Sequence, residues 1–229
     1  MPKKLEFLCL ANSQKLGGRC VAGISLKGGW VRLVSKRPGG ALSEQECRLD
    51  DGSDPKHFDV ICARVDNAQP EVHQPENFVV ANVPWELKSR TAASNYKELI
   101  ERHLHKESVL LGIPGKGIAF QALQGAPLKE SLALFVPGNP RILLNSYGQK
   151  RRFRALFNFG SAAHDLGITD LDVMHKAEKA QEGEYDLKEF LGLSARKKIL
   201  FLVSITEPFD ANRYQGPHCF KLVASILAI

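Results

Sequence analysis

Lys150, Arg152 and Arg154 stand at alternate positions in "QKRRFRALFNFG", residues 149–160, and Phe153, Ala155, Phe157 and Phe159 take positions of the opposite parity. In an extended strand that spacing puts three cations on one face and the apolar side chains on the other. Such a face suits phosphate contact, weighed against a merely solvated one. A second basic stretch, "NSQKLGGRCVAGISLKGGWVRLVSKR" (12–37), carries Lys15, Arg19, Arg32, Lys36 and Arg37 and adds Trp30 beside Arg32. An indole next to a guanidinium is the chemistry of a base-stacking platform with a phosphate clamp. The same pair is equally readable as a Trp packed on the fold, with the Arg solvated or paired to an acid.

Charge distribution sharpens this reading. From Phe7 to Ser43 there are six basic residues and no acids, and from Ser131 to His164 there are five and again none. Together these blocks hold 11 of 31 Lys and Arg, so the other 20 face 25 acids and the whole excess of +6 lies in two segments. Polarised charge of this kind fits an anionic partner.

Other constellations are weaker. Glu207, in a tight turn beside Pro208, and Lys221 on the following strand read as a structural ion pair or as the lining of a small pocket. Asp170, after Thr169, reads first as a helix cap and second as a pocket residue. No spacing assembles His164, Asp165, Asp170 and Glu207 into a catalytic cluster. Neither Cys-x-x-Cys nor His-Glu-x-x-His occurs, and His218–Cys219 is a lone pair of neighbours, so no metal and no cofactor are expected. There is no Gly-x-Ser-x-Gly elbow, dinucleotide fingerprint or P-loop.

The elements that must position these residues are mostly strands. "CVAGISL" and "WVRLVS" flank "KGG", a hairpin signal in which Gly28 and Gly29 supply positive φ. Alternation sends Val31 and Leu33 one way, Trp30 and Arg32 the other. "FDVICARV" (58–65), the end of 69–80, "SLALFVP", "RILLN", "KKILFLVSI" and "CFKLVASILAI" are further strands. One helix is expected over 94–104, capped by Ser94, and an acidic, partly helical region over 165–191. Tyr147 and the phenylalanines at 153, 157 and 159 are expected in the core. The chain reads as mainly β with few helices, two small β-barrels or a sandwich, dividing at "GIPGKG" into 1–115, with a helical insert, and 116–229. No apolar run approaches the roughly 18 residues of a membrane span, and the first run reads as a strand, not a signal peptide. Five cysteines, four of them in strand-like segments, suit reduced thiols in the cytoplasm.

Three stretches, "LANSQKLGGRCVAGISLKGGWVRLVS", "HDLGITDLDV" and "LFLVSITEPFDANRYQGPHCFKLVASIL", resemble the dual OB-containing domain family of bacterial proteins. The resemblance rests on Gly17–Gly23, Trp30–Arg32, Ser204–Phe209 and Lys221–Ala224. It departs at Thr206, which stands where the family has glycine, and a different backbone is expected at that turn. The resemblance implies two OB barrels in tandem, and the habit of that fold is to bind nucleic acids. The expected function is therefore non-catalytic binding of nucleic acid, single-stranded DNA or RNA favoured. A protein-binding adaptor subunit and an enzyme acting on a nucleotide-like anion are the alternatives.

Overall fold

The computed structural model describes residues 2–211 and 214–229, which form two compact units. Met1–His103 with Leu128–Ser131 make the first; Leu104–Pro127 with Leu132–Ile229 make the second.

The first unit contains β1 (Lys3–Lys15), β2 (Gly18–Ser25), β3 (Trp30–Val34), β4 (Asp59–Ala68), β5 (Asn77–Val80), β6 (Glu86–Arg90) and α1 (Lys97–Arg102). The strands run in the order β1-β2-β3-β5-β4, and β4 pairs back onto β1, so five strands close into a barrel. All these pairings are antiparallel except β3 with β5. One long strand serves both neighbours: Lys3–Leu8 of β1 pairs with β4 and Phe7–Lys15 with β2, across an irregularity at Cys9–Ala11. Gly23 permits that close crossing, because a Cβ there would sit 1.9 Å from the Leu8 carbonyl oxygen. The β2–β3 hairpin turns as its sequence requires, with Gly28 and Gly29 at φ 92° and 86°. Phe7, Val21, Val31, Leu33, Ile61 and Trp85 are among the residues that fill the interior.

The second unit contains β7 (Gly117–Ala119), α2 (Phe120–Gly125), β8 (Leu132–Phe135), β9 (Gly138–Tyr147), β10 (Lys150–Phe159), β11 (Ala162–Ile168), α3 (Leu171–Glu178), β12 (Gly183–Asp186), α4 (Leu187–Leu191), β13 (Ile199–Ile205), β14 (Phe209–Asp210) and β15 (Pro217–Ala228). Its central order, β9-β10-β11-β15-β13, reproduces that of the first unit, again with one parallel pair, β11 with β15. Here the two outer strands do not pair with each other among the described residues. Instead β12 adds to β9 and β8 adds to β13. A one-parallel, Greek-key order in both units is the OB architecture, so the chain is mainly β with two OB barrels.

Helices carry less than the sequence predicts. The segment 93–96 is a single 3-10 turn, and α1 follows with six residues; Ser94 lies inside that turn and makes no cap bond. Only Ile100 of α1 is buried, so the segment lacks the apolar stripe that would lengthen it. In the acidic region α3 and α4 form, each begun by an aspartate. Asp170 accepts from the Val173 amide at 3.1 Å, and Asp186 accepts from the Lys188 and Glu189 amides. Phe153, Ala155 and Phe157 of β10 join Val173, Leu187 and Phe201 in the second core.

Candidate functional site

The cations of the first acid-free block are matched by acids from other segments of the same unit. Arg19 pairs with Asp54 at 2.9 Å and Glu44 at 3.5 Å, Lys36 with Asp66 at 2.6 Å, and Arg37 with Glu46 at 2.9 Å. Lys15 is half-buried at its turn, and Lys27 sits exposed at the hairpin tip.

Arg32 is enclosed and paired to an acid, which is the second of the two arrangements its sequence allows. Its alternation is as expected, opposite Val31 and Leu33, but this outer face of β3 is covered: Arg32 is only 2% exposed. Nη2 reaches Glu76 Oε1 at 2.9 Å and donates to Ser131 Oγ at 2.7 Å, and Ser131 donates its hydroxyl to the same carboxylate and its amide to Oε2 at 3.2 Å. This cluster ties Leu128–Ser131 into the first unit. A guanidinium so enclosed is not available to a phosphate in solvent. Trp30 is 8% exposed with His103 edge-on at 5.5 Å, which places the indole in packing and not on an open platform. A broad cleft of 590 Å³ in this unit is lined by Lys56, His57, Asp59, Arg90 and Asn95. Its Arg90 is engaged by Asp51 at 3.1 Å and Asp59 at 3.4 Å.

The second block behaves differently. Lys150 and Arg152 project from β10 on the face opposite Phe153 and Ala155, exposed to solvent. Among the described residues no carboxylate lies within ion-pair distance of either. Tyr147, expected in the core, is 72% exposed, because it closes the β9–β10 hairpin beyond the apolar interior. The Arg152 guanidinium lies 4.6 Å from its ring centroid, a cation–π contact that holds both side chains at the tip. Arg151, of opposite parity, donates to the carbonyls of Glu178 and Ala180 at 2.7 and 2.8 Å.

Further along the same face, Arg154 donates through Nε to Asp165 and through Nη2 to the Asp165 carbonyl at 2.9 Å. Lys116 reaches the same carboxylate at 2.8 Å. Burial alone would raise the Asp165 pKa, but the hydrogen bonds from Arg154 and Lys116 outweigh it and hold the carboxyl below its usual range. These groups, with Gly167, Phe220 and Lys221, line a pocket of 230 Å³. Lys221 is 4% exposed and donates to the Ile113 carbonyl at 2.7 Å, so it makes that bond in place of the expected ion pair with Glu207. Burial pushes its pKa down to about 8. His164, stacked on Phe157 at 5.0 Å, is pushed down by burial and then by the charge of Lys221.

Next to this pocket stands an aromatic group that charge patterning did not reveal. Phe209 and Tyr214 are 49% and 48% exposed, and their rings lie 5.1 and 5.3 Å from Phe220. His218 stands 4.5 Å from Tyr214. The signal was present as two large aromatics inside the polar turn "TEPFDANRYQGP". Thr206 anchors this connection, exchanging bonds of 2.9 Å with the Phe220 backbone through its amide and its hydroxyl. Asp170 is kept away from solvent, since its second oxygen accepts from the Ile226 amide at 2.8 Å while the first caps α3.

Among the described residues no group of three or more His, Cys, Asp or Glu is placed to hold a metal, and no helix is long and apolar enough to cross a membrane. All five cysteines are free and buried. The family model described as "Dual OB-containing domain" matches residues 5–226. No curated protein matches. A solved structure, the crystal structure of the tetrameric p202 HIN2, aligns over 100% of this chain and 92% of its own at 8% identity and a TM-score of 0.29, a likeness too low to carry an argument.

Proposed function

Because the chain belongs to the dual OB-containing domain family, whose description names a fold and no activity, we propose on the geometry of its second unit that it binds single-stranded nucleic acid there. The observation that carries this reading is the pair Lys150 and Arg152, exposed and, among the described residues, without a carboxylate partner, on the second strand of an OB barrel. OB folds hold oligonucleotides on strands two and three and on the loops joining strands one to two and four to five. In this barrel those places hold Lys150 and Arg152, the Tyr147 hairpin, and the connection bearing Phe209 and Tyr214. Cations there meet phosphates, and exposed rings offer stacking to any base. The double variant Lys150→Glu/Arg152→Glu reverses four charge units without touching the core. It is expected to weaken binding of a labelled single strand more than tenfold at low salt, by fluorescence anisotropy, with the melting temperature close to wild type. Absence of binding to every single- and double-stranded oligonucleotide at low salt would replace this reading with the protein-partner one.

A further inference from the structure

The pocket beside the stripe differs from it in kind. Lys150 and Arg152 lie on an open strand face, where an extended backbone can pass. The Lys116–Arg154–Lys221 pocket is concave and holds 230 Å³, below the roughly 300–1,000 Å³ of pockets for drug-sized ligands. It has room for one small anionic group. Lys116 and Arg154 share a single carboxylate, Asp165, and Lys221 lines the same pocket, so among the described residues its lining carries a net positive charge. Lys221 is the sharpest feature: a buried ammonium whose one polar partner among the described residues is a neutral carbonyl. A buried cation without a counter-ion is costly, and an anion entering the pocket relieves that cost. Phe220 forms one wall and continues into the Phe209–Tyr214 rings, so a group held at Lys221 has a stacking surface beside it.

The charge of the ligand follows from that of the site. An internal phosphodiester carries one negative charge and must enter and leave the pocket. A phosphate monoester carries about −1.5 to −2 near neutral pH and offers three acceptor oxygens. Lys116, Arg154 and Lys221 supply donors for several acceptors at once. We propose that this pocket binds a phosphate monoester: the phosphorylated end of a nucleic-acid strand, or the phosphate of a free mononucleotide, either of which presents the same chemistry. For the strand end, the inference rests on the reading of strand binding above; for the free nucleotide it does not.

The test uses the full chain and one internally labelled single strand in three forms, with 5′-phosphate, with 3′-phosphate and with both ends hydroxyl. Nucleoside monophosphate and the matching nucleoside are titrated in parallel by calorimetry. One phosphorylated form is expected to bind at least tenfold more tightly than the hydroxyl-ended strand. Lys221→Met should erase that advantage while affinity for the hydroxyl-ended strand stays within twofold. Lys116→Ala, on an exposed side chain, should reduce the advantage without risk to folding, which melting curves check for both variants. Binding of the monophosphate but not the nucleoside, lost in Lys221→Met, with no strand bound at all, supports the pocket and sinks strand binding. Equal affinity for all three strands, with no binding of the monophosphate, overturns the pocket and leaves strand binding standing.

Discussion

The two barrels share a strand order and differ in what their cations face. In the first, Arg19, Lys36 and Arg37 meet Asp54, Asp66 and Glu46, and Arg32 lies buried against Glu76. In the second, Lys150 and Arg152 face, among the described residues, solvent and the Tyr147 ring with no carboxylate in reach, and the buried Lys221 meets a carbonyl. A run of sequence without acids therefore says little about the charge of the surface it makes. Acids from other segments meet Arg19, Arg32, Lys36 and Arg37 of the first run, and in the second they meet Arg141 and Arg154 but, among the described residues, not Lys150 or Arg152. The same contrast appears in closure: β4 closes the first barrel onto β1, while β12 and β8 occupy the corresponding edges of the second.

The largest effect that could break this comparison is on stability. Arg32→Met leaves Glu76 buried beside Ser131 without its counter-charge. It is expected to cost about 3–5 kcal/mol of unfolding free energy, read by denaturant titration. A loss below about 1 kcal/mol would mean that the guanidinium is solvated after all, and the first barrel would regain a candidate phosphate contact.

Lys221 should behave in the opposite sense, because it lacks a carboxylate. Its folded pKa of about 8 lies below its ordinary 10.5. Between those values the unfolded chain binds a proton that the folded chain has released, so stability rises with pH. The stability of wild type minus that of Lys221→Met should accordingly grow by up to about 2–3 kcal/mol from pH 8 to pH 10, at roughly 1.4 kcal/mol per unit. A flat difference over that range would place the amine in water.

A smaller effect concerns stacking. Tyr214→Ala removes an exposed ring and no charge. It should cost about 1–3 kcal/mol of strand binding and leave the salt dependence unchanged. Retained affinity would confine the second barrel's contacts to phosphate.

How far these features were legible differs along the chain for physical reasons. The β2–β3 hairpin and the inward Val31 and Leu33 follow from local rules, two glycines and a period of two. The alternation of β10 likewise identified its outward cations. Arg32 shows the limit, since parity says which way a side chain points but not what lies over it. Its cover, Glu76 and Ser131, comes from 44 and 99 residues along the chain. Tyr147 was misplaced because aromatic content counts toward a core, whereas a hairpin can carry a ring beyond the interior. The pocket draws on Lys116, Arg154, Asp165 and Lys221; Arg154 and Lys221 stood out in their own segments, but only the β10-β11-β15 order and the β7–β15 pairing bring the four together. Phe209 and Tyr214 left a readable trace, two aromatics in a turn otherwise rich in polar residues.

The central proposal is that Lys150 and Arg152 of the second barrel, and not the acid-paired Lys36 and Arg37 of the first, are the cations that meet a nucleic acid. Salt dependence tests it most directly, because each phosphate contact on a single strand contributes roughly 0.7 to the slope of log affinity against log salt. Wild type, Lys36→Ala/Arg37→Ala and Lys150→Ala/Arg152→Ala should be titrated with one labelled strand from low to physiological salt. The first-barrel pair should reproduce the wild-type slope, and the second-barrel pair should be shallower by about 1.4 for two lost contacts. A slope that flattens with the first-barrel pair and holds with the second would contradict the account.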